Sequence, residues 1–264
     1  MKTFCFTIDD NIRCLAEINK SKPSSIFAHP YLAMLHRLHR QFDLKIQLNL
    51  FYEASGFTLS DMTDRYLGEF AANSDWLKLS FHSRKENSRP YQNASYDEVF
   101  ADCEAVQREI LRFACPAALA KTTTVHYCQT TSEGTAALAD NGVLGLLGLF
   151  GTPDAPGTSY SIEESVAKDI RNGQILSVDG MAYASIDMII NKLKREELSP
   201  ALEALMTRES LCVMIHEQYF YEDYKAYQPD FEEKLIAVFS HLTENGYQSR
   251  FFEELITPPP QKNT

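Results

Sequence analysis

Short apolar segments that resemble strands alternate with helix-like segments along the whole of this 264-residue chain. Such alternation predicts parallel strands joined by right-handed crossovers, either in a doubly wound sheet or in a barrel. The strand-like segments are residues 4–8, 44–51, 77–81, 123–127, 143–150, 175–178, 211–215 and 247–252. The helix-like segments are residues 30–42, 60–70, 95–113, 133–140, 200–206 and 231–245.

The chain shows no internal repeat and no charged linker. The Gly- and Pro-rich segment 151–159 is the strongest loop signal and a possible boundary, but either half alone would have an incomplete sheet. We therefore expect one domain over residues 1–256, followed by a disordered tail at residues 257–264.

Charge and composition exclude several classes of partner. The formal net charge of −11 argues against nucleic acid, because phosphate binding needs a basic surface. No run approaches 18 consecutive apolar residues, so no membrane span is expected. The six cysteines form no CxxC pair and no metal-binding spacing, which predicts small buried thiols in a reducing compartment, and hence a cytoplasmic protein without a signal peptide.

Ionisable residues follow four of the predicted strands. Asp9 and Asp10 come after the first, His82 after the third, His126 lies near the end of the fourth, and His216 follows a late one. Ligands of parallel α/β folds bind at the carboxyl ends of the strands, so these side chains are candidates for one site. Imidazoles combined with carboxylates suit Zn, Mn, Fe or Co rather than Ca or Mg.

Each of these residues also has a structural interpretation. Asp9 and Asp10 should point to different sides of their strand, so that one binds a cation and the other acts on water, but one of them could instead cap a turn. His82 and Glu86 would share a face if their segment were helical. His126 and His216 could equally be core histidines that donate to a carbonyl group.

The order of these motifs resembles that of the polysaccharide deacetylases, the NodB-homology or carbohydrate esterase 4 family. Thr7-Ile8-Asp9-Asp10 is similar to the family's Thr-Phe-Asp-Asp motif, and 82–86 (His-Ser-Arg-Lys-Glu) to its His-Ser/Thr-x-x-His motif. Met214-Ile215-His216 is similar to the late strand that ends in Leu-His or Ile-His. The resemblance extends from the first strand to His216 and implies a distorted (β/α) barrel of about seven strands.

The resemblance also implies an activity, namely hydrolysis of an acetyl group from a carbohydrate or a sugar-linked substrate. It points to surface-polysaccharide metabolism as the setting of this activity. Asp9 becomes the catalytic base and His216 the catalytic acid, while Asp10 and His82 become ligands of a divalent transition metal, zinc first, with Co, Mn, Fe or Ni as alternatives. Further candidates for substrate binding are Arg89, Tyr127 and Glu217.

The chain departs from the family pattern at two places. Glu86 stands where the second histidine of the metal motif is expected, and His126-Tyr127-Cys128 stands where an Arg-x-Pro motif is expected, whose arginine orients the base. Glu86 could be a ligand in place of the histidine. His126 could orient Asp9, or it could complete an Asp10-His82-His126 metal site.

Two other functions stay open at the level of sequence. The chain could be a degenerate barrel that binds a glycan without hydrolysing it, and it could be a metal-using barrel that acts on another substrate. Aromatic residues that could stack on sugar rings in the glycan-binding case are Tyr219, Phe220, Tyr221, Tyr224 and Tyr227.

Overall fold

The computed structural model describes residues 1–86, 91–151 and 159–256. Its central strand is β1 (Thr3–Asn11), which lies between two parallel neighbours, β2 and β10. The eleven strands described are β1 (Thr3–Asn11), β2 (Ile46–Ala54), β3 (Phe57–Thr58), β4 (Leu77–Lys85), β5 (Thr122–Thr123), β6 (Gly145–Gly148), β7 (Leu176–Val178), β8 (Met181–Ser185), β9 (Met188–Ile189), β10 (Ser210–His216) and β11 (Gln248–Ser249).

Nine of these strands have parallel partners, and seven of the nine form the wall of a distorted barrel. One sheet has the order β10-β1-β2-β4, and a second has the order β5-β6-β8. A bridge between Leu79 and Leu119 joins the sheets on one side. On the other side, Asp187 N–H donates to the Cys212 carbonyl at 2.8 Å. The (β/α) barrel that the sequence predicts is therefore confirmed.

The helices cover the outside of the barrel, and their bounds follow the sequence signals. α2 begins at Pro30, which suits a first helical turn, and α4 begins after a Ser95/Glu98 capping box. The eight helices described are α1 (Arg13–Ser21), α2 (Pro30–Phe42), α3 (Leu67–Ala72), α4 (Tyr96–Phe113), α5 (Ser132–Asp140), α6 (Glu164–Arg171), α7 (Arg195–Glu203) and α8 (Phe231–Glu244).

Four predicted elements are clearly shorter in the structure than the sequence suggests. The strand expected over 143–150 is only β6. The helix expected over 60–70 is only α3, preceded by a 3₁₀ turn over Leu59–Asp61. The strand expected over 123–127 ends at Thr123 and gives way to a turn over His126–Cys128. The last expected strand, 247–252, shrinks to β11. In each case tertiary packing ends the regular element early, which local residue patterns do not reveal.

The two faces of β1 have different surroundings. Phe4 and Phe6 pack on Phe239 of α8, with ring centroids 5.8 and 4.8 Å apart, in the layer between barrel and helices. The alternate residues face the interior, where the Thr3 and Ser210 hydroxyls hydrogen bond at 3.0 Å. The interior of the barrel is thus partly polar and leads up to Asp9.

All six cysteines are buried and unpaired, as predicted for small core residues. Among the helices described, none combines the length and the apolar character that a bilayer-crossing segment requires. The predicted single domain over 1–256 stays a prediction. The predicted tail at residues 257–264 lies outside the described residues, as does most of the 151–159 loop.

Candidate metal centre

The end of β1 does not follow the regular alternation of a strand. Asp10 adopts a left-handed conformation with φ 61°, and the pairing of β1 with β2 shifts register between Ile8 and Asn11. This bulge turns the Asp10 carboxylate to the barrel mouth, the side to which Asp9 also belongs. The two carboxylates have different partners, since Asp9 accepts from Asn49 and Asp10 lies against His82.

Three side chains from distant parts of the chain converge at this mouth. Asp10 Oδ1 lies 3.0 Å from His82 Nε2 and 3.4 Å from His126 Nδ1, and the two nitrogens lie 3.1 Å apart. The side chains of Asp10, His82 and His126 are 9%, 2% and 11% exposed. The sequence-based alternative that His126 joins Asp10 and His82 is confirmed as a juxtaposition, and these residues form what we call the Asp-His-His cluster.

Backbone carbonyls determine which nitrogen of each histidine faces the cluster. His82 Nδ1–H donates to the Thr124 carbonyl at 2.5 Å, and His126 Nε2–H donates to the Glu86 carbonyl at 2.9 Å. A carbonyl oxygen only accepts, so the neutral imidazoles turn their lone pairs toward Asp10. The Asp-His-His cluster therefore brings together three acceptors and no donor, an arrangement that a cation or added protons must stabilise.

The distances within the Asp-His-His cluster fit a metal ion. Donor atoms about 2.1 Å from a common ion lie about 3.0 Å apart at right angles and about 3.4 Å apart in a tetrahedron. The three measured separations, 3.0, 3.1 and 3.4 Å, fall in this interval. Carbonyl partners on the far ring nitrogens are also what metal-ligating histidines usually have. The residues present thus suit a divalent transition ion.

Two glutamines and one asparagine that the sequence did not single out hold the carboxylates, directly or through each other. Gln218 Nε2–H donates to Asp10 Oδ2 at 2.7 Å, which leaves Oδ1 for the cluster. Asn49 Nδ2–H donates to Asp9 Oδ1 at 2.6 Å and is itself fixed by Gln47 at 2.8 Å. Asn49, and not His126, therefore orients Asp9. Gln47 and Asn49 alternate along β2, but sequence spacing alone does not tell which residues face the barrel interior.

His216 lies in register with Asp9 on the neighbouring strand β10. Its Nδ1–H donates to Asn191 Oδ1 at 2.9 Å, so Nε2 is the nitrogen left to exchange a proton. The Asn191 contact was also not foreseen, because Asn191 lies in a 3₁₀ turn after β9. Asp9 and His216 are thus paired across two adjacent strands at the barrel mouth.

The environment shifts the pKa values of these groups in opposite directions. Burial raises the pKa of the Asp9 carboxyl, although His82, His216 and Asn49 act against this rise. Burial would also raise the pKa of Asp10, but when the cluster holds protons instead of a cation, hydrogen bonds with His126 and His82 hold the Asp10 pKa well below its usual range. Two neighbouring carboxyls therefore differ in basicity, as acid–base chemistry and ligation require.

The histidines show a similar contrast. Burial lowers the pKa of His216, and nearby His82 and Lys192 act in the same direction, against the two carboxylates. Burial would lower the pKa of His82 too, but Asp9 and Asp10 raise it overall. An imidazolium with a lowered pKa is a stronger proton donor, whereas His82 keeps its proton until a competing cation displaces it.

Two predicted site residues have other positions in the structure. Glu86 lies in a turn after β4 and is not part of the Asp-His-His cluster; only its backbone carbonyl contacts His126. The suggested helical face shared by His82 and Glu86 is wrong, because β4 is extended there.

The carboxylate of Glu217 is engaged by the start of α1 and by Tyr221. It accepts hydrogen bonds from the backbone N–H groups of Ile12, Arg13 and Cys14 at 2.7–3.0 Å, and the side chain of Tyr221 donates to it at 2.8 Å. The interpretation of Glu217 as a substrate contact is corrected: it caps the N-terminus of α1.

The other two substrate candidates differ in what the structure shows. Tyr127 is 58% exposed, and its ring centroid lies 4.2 Å from that of His126. Its backbone is left-handed, with φ 62°, which turns the ring outward beside the cluster. Arg89 lies outside the described residues.

No protein-family profile matches the chain, and no curated protein is similar to it in sequence. Solved structures are similar to it in fold. One is a protein from Mycobacterium smegmatis that is described as a polysaccharide deacetylase. It has 9% identity and a TM-score of 0.57, and the match covers 100% of this chain and 95% of that one. A second is a family 4 acetyl xylan esterase from Clostridium thermocellum in complex with a cobalt ion, with 14% identity and a TM-score of 0.53, covering 96% and 90%.

A 4-α-glucanotransferase from Thermococcus litoralis is also similar, with 13% identity and a TM-score of 0.56, covering 96% of this chain and 40% of that one. At such identities the likeness concerns the fold. It agrees with the motif resemblance, which was drawn from residues at the same strand ends. The chain thus has the distorted barrel fold of the carbohydrate esterase 4 deacetylases.

Proposed function

We propose that this protein is a metal-dependent hydrolase that removes an acyl group, acetyl in the simplest case, from a carbohydrate or sugar-linked substrate. The observation that carries the proposal is the Asp-His-His cluster, in which three acceptor atoms lie 3.0–3.4 Å apart with no donor among them. The fold of known deacetylases and the three motifs at strand ends support the same proposal.

Asp10, His82 and His126 would hold the ion. A divalent cation bound there supplies Lewis acidity, which polarises the acyl carbonyl and makes water easier to deprotonate. Two imidazoles and one carboxylate are compatible with Zn, Co, Mn or Fe, and zinc remains our first candidate. The contact between Gln218 and Asp10 Oδ2 favours binding through one oxygen only.

Asp9 and His216 would divide the proton transfers. Asp9, whose pKa burial raises, accepts a proton from the attacking water. His216, held by Asn191, donates a proton to the leaving amine or hydroxyl. Asn49 keeps Asp9 aligned, the task that an arginine performs in the related enzymes.

A polar groove beside the Asp-His-His cluster suits a sugar. It has a volume of about 400 Å³ and is lined by residues 53–58 together with Lys85 and Glu86. Glu86 is also the residue whose carbonyl accepts from His126, so the groove adjoins the cluster. The exposed ring of Tyr127 offers an apolar face of the kind that packs on sugar rings.

Two contacts count against the glycan-binding alternative. It rested on Glu86 and on the missing arginine, but His126 belongs to the Asp-His-His cluster and Asn49 donates to Asp9. A cytoplasmic location stays a prediction from the unpaired cysteines.

The test combines metal content with turnover. We expect about one Zn, Co or Mn per chain after reconstitution, measured by mass spectrometry of the elements, and acetate release from a panel of acetylated sugars. Asp10→Asn should weaken metal binding by roughly 100-fold or more. Asp9→Asn should keep the metal but lower the rate by roughly 100- to 10,000-fold, because only the base is lost.

Asp75→Asn is the matched control, because Asp75 is an exposed carboxylate outside the site. It should change neither quantity. A protein that folds but cannot be loaded with any of the three metals would contradict the proposal. A metal-loaded protein that binds glycans without turnover would instead support the non-hydrolytic alternative.

A further inference from the structure

A second opening near the site differs from the polar groove in chemistry. It is a cleft of about 450 Å³ on the side of β6 and β9, and we call it the apolar cleft. Most of its lining is apolar and half-buried or buried: Leu149, Ile186, Ile189, Leu193, Ala201 and Leu205. The volume lies in the range of small-molecule sites, roughly 300–1,000 Å³.

The apolar cleft is connected to the catalytic residues through one wall. Ile189 pairs in register with Met214, two residues before His216 on β10. Asn191, which accepts the hydrogen bond from His216, lies between Ile189 and Lys192 in the chain, and both of these line the cleft. Lys192 also acts electrostatically on His216. An acyl group whose carbonyl reached the Asp-His-His cluster could therefore extend along this wall.

The charges of the apolar cleft also indicate a ligand. Asp187 is occupied, because Arg208 and the Cys212 N–H group both donate to its carboxylate. Lys192 is exposed, and within the described parts of the chain its ammonium has neither a hydrogen bond nor an ion pair. An apolar cavity with one unpaired cation at its rim suits an alkyl chain that carries a carboxylate.

The size of the apolar cleft argues against acetate as its occupant. A methyl group is about as large as a water molecule, whose share of liquid volume is about 30 Å³. An acetyl group would leave most of the 450 Å³ to water against apolar side chains. Filling such a cavity with methylene groups instead removes that surface from water.

We propose that the apolar cleft holds the alkyl chain of the substrate's acyl group, so that the protein hydrolyses acyl chains longer than acetyl, of about medium length. The proposal rests on the function proposed above. Asp9 takes one proton from water, the resulting hydroxide adds to the acyl carbon, the bond to the sugar nitrogen or oxygen breaks, and His216 protonates that atom. The product acid loses its remaining proton to solvent and leaves as a carboxylate, which the unpaired charge of Lys192 attracts. The proton on Asp9 then replaces the one that His216 gave up.

Product binding tests the apolar cleft without requiring turnover. Calorimetric titration of metal-free protein in chelator compares acetate, butyrate, hexanoate and octanoate. We expect the affinity to rise about threefold to fourfold with each added methylene group that enters the cleft. Ala201→Phe should abolish most of this gain by filling the cavity. Ala71→Phe, at an exposed helix position outside the lining, should not.

A second pair of variants tests the charge. Lys192→Met should weaken octanoate binding severalfold but leave binding of neutral octanol unchanged, and the exposed Lys225→Met should alter neither. Equal affinities for acetate and octanoate would overturn the inference, and so would octanoate binding that Ala201→Phe leaves intact. A dimer that Ala201→Phe dissociates, without octanoate binding, would also overturn it and identify a second copy as the occupant.

Failure of this inference can be distinguished from failure of the proposed function. Metal loading and acetate release do not involve the apolar cleft, so they would persist if octanoate did not bind. Conversely, octanoate binding in a chain that takes up no metal would remove the function but not the binding site. In an active enzyme, the ratio of kcat/KM for octanoyl to acetyl esters should fall in Ala201→Phe and not in Ala71→Phe.

Discussion

The two sides of the barrel are built differently. β1, β2 and β4 have nine residues each and pair over most of their length, and β10 has seven. On the other side, β5, β6 and β8 have two, four and five residues. The long strands deliver Asp9, Asp10, His82 and His216, whereas the short side delivers only His126, from a turn.

This difference shows how strands of unequal regularity can still bring three side chains together in the Asp-His-His cluster. The long strands hold their side chains through continuous ladders, so the positions of Asp10 and His82 follow from the backbone. The short side is irregular, and the left-handed residues Tyr127 and Cys128 let its chain turn back toward the barrel mouth. His126 reaches the Asp-His-His cluster from there.

The largest effect that we expect comes from Glu217, at the end of the long strand β10. Glu217→Ala leaves three backbone N–H groups at the start of α1 without their acceptor, and the free energy of unfolding should fall by about 3 kcal/mol. Glu133→Ala removes an exposed glutamate in the first turn of α5, on the short side, and should cost less than about 0.5 kcal/mol. Urea denaturation measures both, and equal losses would contradict the contrast between the two sides.

A smaller effect should separate the two histidines of the cluster. His82→Ala should weaken zinc binding by more than about 100-fold, because a fully buried ligand cannot be replaced by solvent. His126→Ala should weaken it by about 10- to 100-fold, because this ligand is more exposed and water can take its place. His241→Ala, on α8, is the control. A competition assay with a zinc chelator gives the three constants, and a larger loss for His126 would reverse the proposed roles.

The smallest effect concerns the metal-free protein and its pH dependence. The pKa of His82 is raised in the folded chain, so its stabilising contribution is complete below pH 6.5 and is lost as the pH rises through the raised pKa. The lowered pKa of Asp10 gives a contribution present above pH 3.8 and lost as the pH falls through the lowered value.

Thermal unfolding in chelator should therefore show a midpoint that declines from pH 6.5 upward, and His82→Gln should flatten this decline. Addition of zinc should reverse the slope, because protons then compete with the metal for the same lone pairs. A midpoint of the metal-free protein that rises over this interval would show that His82 does not hold the proton.

Much of the barrel could be predicted from local patterns. Pro30 and the apolar spacing after it fix α2, and the Ser95/Glu98 capping box fixes the start of α4, because these signals act within one or two turns. β8 and α1 were not predicted. The apolar residues of β8 lack alternation because the strand is buried on both faces, and α1 is capped by Glu217, about 200 residues away in the chain.

The residues of the candidate site also divide into those that the sequence could predict and those that it could not. Asp9, Asp10, His82 and His216 could be predicted, because each comes at the end of an apolar run and strand ends gather at one mouth. Asn49, Asn191 and Gln218 could not, because amide side chains are common and only their orientation relative to the carboxylates and His216 gives them a role.

The sequence by itself determined most of the strands and helices and the three strand ends that carry Asp9, Asp10, His82 and His216, since both depend on residue types at short spacing. Only the tertiary structure decided that Asp10 turns left-handed, that His126 and not Glu86 completes the cluster, and that Glu217 caps a helix. These outcomes depend on register, on a bulge and on contacts between residues more than 40 positions apart. Interactions at that separation arise only when the chain has closed into the barrel.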